Sequence, residues 1–215
     1  MSNDLTVLQG TKNALAAAAQ EESGSVLGGK LLKFSKGHYL TGDDKIPAGR
    51  EYIAYPTKWV RGWTKFYGGR LIEQRVGSVS DGFVVPERDE LGDNDPTQWE
   101  KDASGKARDP WQKQSYLPLE DLETGEILIF VSGSHGGRGA ISKMVSVAAK
   151  NLENGEPRVR LGVGSYKHKS FGRVEVPEFI ITGWSGNADR FDDEGDEGGA
   201  FDDSVPFNDG SEVEF

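Results

Sequence analysis

Polar and apolar residues alternate strictly over Arg158–Gly164 (RVRLGVG), with Val159, Leu161 and Val163 on one side. That is the period of a strand with one buried face. VEVPEFIITGW (Val174–Trp184) predicts a last long strand, and Pro177 within it argues for an edge position or a bulge. EILIFVS (Glu126–Ser132) is a compact apolar run and predicts a buried strand. Between these the period changes. Ile141, Met144 or Val145, Ala148 and Leu152 fall at helical spacing, and Asn154-Gly155 marks the end of that helix. Upstream, KLLKF opens a strand-rich region over 30–79, and WVRGWTKFYGGRLIEQRV reads as a hairpin. Gly68-Gly69 supply the positive φ that its two-residue turn needs. Residues 80–125 are polar and broken by Pro86, Pro96 and Pro110. They predict a long excursion whose return leg, with Trp99, Trp111 and Tyr116–Leu119, packs back on the body.

The expected fold is therefore mainly β: an OB-fold-like barrel with one helix and a long insertion. An unrelated α+β sheet is the alternative. The barrel domain spans 30–184 with its excursion at 80–125. An Ala-rich arm precedes it at 1–29, read as a flexible leader, and a disordered acidic tail follows at 185–215.

Composition sharpens this picture in three respects. The chain has no Cys, which excludes disulfides, thiolate zinc sites and thiol nucleophiles. Residues 1–20 lack a signal-peptide pattern, and no run approaches the ~18 apolar residues of a membrane span. A cytoplasmic protein is expected. The charge of −10 is uneven: residues 189–215 hold eleven acids and one base, which leaves the remaining body neutral.

WVRGWTKFY carries the strongest candidate chemistry. In an extended strand, Trp59, Arg61, Trp63, Lys65 and Tyr67 share a face. Rings interleaved with cations suit a single nucleic-acid strand, with bases stacked on Trp59, Trp63 and Tyr67 and phosphates met by Arg61 and Lys65. The same pattern also fits a strand whose indoles face the core while its cations snorkel at the rim. Arg158, Arg160, Lys167 and Lys169 add further phosphate ligands. From Gly133 to Glu175 eight Lys or Arg stand against three acids. SGSHGGRGAISK (Ser132–Lys143) reads as a Gly-rich turn before a helix, but it lacks the P-loop pattern. His38, His135 and His168 are scattered without metal-ligand spacing. No catalytic constellation, metal or cofactor is indicated.

FDDSVPF (Phe201–Phe207) resembles the acidic C-terminal peptide of bacterial single-stranded DNA-binding proteins. Asp202, Asp203, Val205, Pro206 and Phe207 match its Asp-Asp-aliphatic-Pro-Phe ending. Here Asn208–Phe215 follow, and the closing SEVEF is similar to the Phe-terminated acidic tails of some bacteriophage single-stranded DNA-binding proteins. The body resembles uncharacterised prophage-type proteins, from which no activity carries over. The resemblance implies a non-enzymatic, phage-type protein that binds single-stranded DNA in replication or recombination. Its tail, through Phe215 and Asp202–Phe207, would recruit partner proteins. A phage structural or adaptor protein that never touches DNA, and a nucleotide-acting enzyme using 132–143, are the alternatives.

Overall fold

The computed structural model describes residues 28–47, 49–102, 104–168 and 172–186. Among the described residues ten strands and one α-helix follow one another: β1 (Lys30–Ser35), β2 (His38–Thr41), β3 (Asp44–Lys45), β4 (Glu51–Ala54), β5 (Val60–Tyr67), β6 (Arg70–Ser78), β7 (Trp111–Asp121), β8 (Ile127–Ser132), α1 (His135–Ala149), β9 (Pro157–His168) and β10 (Gly172–Trp184). They form a strongly curled open sheet, a half-barrel consistent with the β-barrel, OB-like expectation.

The path through the sheet runs β10-β9-β4-β7-β8-β1-β2-β3. β7 organises it. Its first half, Trp111–Tyr116, pairs with β5, and Leu119–Asp121 pair with β4 on the same edge. Its other edge carries β8. The periodicity of β7 explains the double role. Leu117 and Leu119 are fully buried on the helix-covered face, while Tyr116 lies on the opposite face with Val60 and Ile129.

The main core joins Leu32, Tyr52, Leu117, Leu119, Leu128, Phe130 and Val159 to one stripe of the helix. That stripe is Gly137, Ile141, Met144 and Ala148. Each fully buried Leu or Ile contributes roughly 1.5–3 kcal/mol. The helix begins earlier and ends earlier than its apolar spacing predicts. Ser134 caps it by accepting from the Gly137 N–H at 3.1 Å. The Gly-rich stretch thus forms the opening turns of α1, not a loop. A Cβ on Gly137 would come within 2.0 Å of Ser132 Oγ, so glycine here is a packing requirement. Leu152 lies outside the helix in a separate 3-10 turn and is exposed.

The ends of the curled path meet through a side chain. The Tyr39 hydroxyl on β2 accepts from the Glu178 N–H at 3.0 Å and lies 2.9 Å from the carbonyl of Gly162 and 3.0 Å from that of Glu178. Gly162 and Glu178 face each other across β9 and β10. One phenol therefore ties β2 to both strands at the far end of the path. Its ring is buried, edge-on to Phe34.

The irregular excursion spans 79–110, shorter than expected, because β7 already starts at Trp111. Its length has a topological cause. β6 and β7 are both antiparallel to β5 and flank it. They run parallel to each other, so the chain must cross over β5 to get from one to the other.

Candidate nucleic-acid interface

The crossover decides what becomes of the aromatic strand. By register, Arg61, Trp63 and Lys65 share a face with Ser115, Lys113 and Trp111 of β7 and with Gly77, Arg75 and Glu73 of β6. The crossing segment is tied onto that face. Trp63 Nε1 donates to the Pro86 carbonyl at 2.9 Å. Trp111 Nε1 donates to Asp93 Oδ2 at 3.0 Å, and Lys65 Nζ stands 2.8 Å from the same oxygen. The hydrogen bonds from Lys65 and then Trp111 hold the Asp93 carboxyl below its ordinary value. Arg88 anchors the segment internally, with a two-point contact to Asp109 at 2.7 and 2.8 Å.

Trp63 is consequently buried, at 8% exposure, while Trp59, at 9%, is buried in the main core with Leu117 and Leu119. Each also carries a cation over its ring: Arg61 stands 5.1 Å from the Trp59 centroid and Lys113 stands 5.0 Å from that of Trp63. Neither indole presents a face to a base in this conformation. Trp59 Nε1 is buried without a hydrogen-bond partner. Arg61 is exposed, Lys65 is half-buried in its ion pair, and Tyr67 is 61% exposed at the hairpin tip. A cleft of about 570 Å³ opens between that tip and the crossover, lined in part by Tyr67, Trp99 and Arg108.

The remaining basic candidates lie elsewhere on the sheet. Arg158 and Arg160 stand opposite Ile53 and Glu51 of β4. Arg160 is exposed, while Arg158 is half-buried with an unpartnered Nε. β4 covers β9 only over Arg158–Arg160. Beyond that point β9 and β10 continue as a two-stranded ribbon to the His168–Gly172 rung. On it Lys167 lies directly opposite Arg173, and both are exposed. Tyr166, 47% exposed, precedes Lys167. Among the described residues neither Lys167 nor Arg173 has an ion-pair partner within 4 Å. The tight β1–β2 turn, with Lys36 exposed at φ 49°, lies against this ribbon, since a Cβ on Gly37 would meet the Glu175 carboxylate.

The predicted ligands thus fall into two groups. Those on β5 gather at the crossover. The β9 cations lie on the strand two places away from β7, along its downstream half. Arg173 completes the second group. Its basic character is visible in the sequence, but its place opposite Lys167 depends on the hairpin register. Lys169 and the tail residues Asp202, Asp203, Val205, Pro206, Phe207 and Phe215 lie outside the described residues.

Among the described residues no group of three or more His, Asp or Glu is placed to hold a metal ion, and no helix is long and apolar enough to cross a membrane. The class defined here is a mainly β half-barrel with one helix and a basic ribbon. No family model, curated protein or solved structure matches the chain.

Proposed function

We propose that this chain binds single-stranded DNA through the β9–β10 ribbon and acts in phage or prophage replication or recombination, with the acidic tail recruiting partner proteins. The observation that carries the reading is the Lys167–Arg173 pair. Like charges directly opposite on an antiparallel ladder destabilise it by roughly 0.2–1 kcal/mol. A phosphate settling between them turns that repulsion into two attractions. Arg160 and Tyr166, of the opposite parity to Lys167, share the other face of β9, where a cation and a ring are both exposed. Trp59 and Trp63 act as scaffold in this reading, and the phosphate contacts carry the affinity. No cofactor takes part.

The test is fluorescence anisotropy of a labelled single-stranded oligonucleotide across a salt series. Binding should weaken steeply with salt. The double variant K167A/R173A should reduce the slope of log K against log salt by about 1.4, at ~0.7 for each phosphate that is no longer neutralised. Absence of binding at low salt overturns the proposal. A structural or adaptor role for the body is the second reading, and the burial of both indoles favours it. It requires that no oligonucleotide bind at any salt.

A further inference from the structure

We infer that β6 is a self-pairing edge through which two copies of this chain associate about a two-fold axis. β6 is nine residues long; among the described strands it pairs with β5 alone, and at its end the Ser78 carbonyl accepts from the Phe83 N–H. Among the described residues no backbone group of Arg70–Val76 bonds to a loop, so the outward-pointing amides and carbonyls of this stretch have no backbone partner. Such an edge is a ready template for another strand. The edge is also apolar at one end, with Leu71 50% and Ile72 54% exposed. A register shift opposite Lys65–Phe66 leaves Ile72 without a partner on β5.

The sequence of the strand specifies the occupant. Two-fold antiparallel pairing sets residues of like parity opposite one another, because only alternate residues turn their amides outward. With Gln74 on the axis, Glu73 of each copy faces Arg75 of the other, and Ile72 faces Val76. Both charge pairs are then attractive and both apolar residues gain a neighbour. Centring the axis on Arg75 instead opposes arginine to arginine. In the single chain Glu73 and Arg75 already meet each other, with Arg75 Nη2 2.7 Å from Glu73 Oε1. Association exchanges that ion pair along the strand for two across it. An isologous interface of this kind closes after two copies, which prevents a filament. The inference does not depend on nucleic-acid binding.

Sedimentation velocity of the full chain over a concentration series tests it. The wild type should move toward twice the 23.4 kDa monomer mass as concentration rises. E73R and R75E should each remain monomeric, because each puts like charges across the axis. An equimolar mixture of the two should dimerise, and so should the double variant E73R/R75E. Deuterium exchange at Arg70–Ser78 should slow as the wild type is concentrated. A wild type that stays monomeric throughout overturns the inference, as does a dimer indifferent to both single variants or one whose β6 amides gain no protection.

Discussion

Replacing Tyr39 with Phe removes one oxygen atom and leaves the ring packing in place. That oxygen lies within 3.0 Å of the Glu178 N–H and of the carbonyls of Gly162 and Glu178. A net hydrogen bond contributes about 1 kcal/mol, and a buried group left unpaired costs ~1–3 kcal/mol. The expected loss is therefore about 2 kcal/mol. For a chain of this size each kcal/mol moves Tm by roughly 2–4 °C, so Y39F should melt about 4–8 °C lower. Burial pushes the Tyr39 phenol well above its ordinary value. The neutral hydroxyl is thus the form the fold favours. Its contribution is complete below the ordinary phenol pKa of about 10 and declines as pH rises above it. The difference between wild type and Y39F should hold from pH 6 to 9 and shrink in stronger alkali. Circular dichroism melts at several pH values measure it. An unchanged Tm at neutral pH would mean that β2 and the ribbon stay together without the phenol, and the closure described above would be wrong.

Trp63→Ala should lose about 3–5 kcal/mol, since it empties a buried site beneath the crossover and frees the Pro86 carbonyl, as read by urea unfolding. The depressed Asp93 carboxyl adds stability above the ordinary carboxylate range, and this is lost as pH falls through its lowered value. Asp93→Asn should abolish that acid-side dependence and loosen the crossover, seen as faster exchange of the Trp63 and Trp111 indole N–H protons. Deleting 189–215 removes eleven acids and one base, and should tighten oligonucleotide binding at low salt in the anisotropy assay.

Much of the sheet was legible because its strands either alternate between a buried and a wet face or, like β8, are buried on both. The alternation at Val159, Leu161 and Val163 and the apolar run at Glu126–Ser132 located β9 and β8. Pro177 foretold that β10 lies at an edge. Gly68-Gly69 marked the β5–β6 turn, and both residues have positive φ. The start of α1 was obscured because its first turns are glycines used for close approach to Ser132 and Val176, and glycine ordinarily signals a turn. The fate of the indoles was not legible at all. Alternation puts Arg61, Trp63 and Lys65 on one face but does not say which face is covered. That follows from β5 lying between two parallel strands, a pairing decided by residues 46 to 56 positions apart. The Lys167–Arg173 opposition likewise needs the register of a hairpin whose connecting residues carry no apolar pattern.

The crossing segment is far longer than geometry demands. From the Val60–Ser78 rung to the Lys65–Trp111 rung β5 advances five residues, roughly 17 Å at ~3.4 Å each. A parallel crossover over one strand needs on the order of a dozen residues, yet 79–110 are used. The surplus acts as a thatch over Trp63, Trp111 and the cations beside them. A trimming series should find two regimes. Early cuts would bare the rings while leaving strand order untouched, whereas the final few residues are a tether whose loss obliges β7 to be borrowed from a neighbouring molecule.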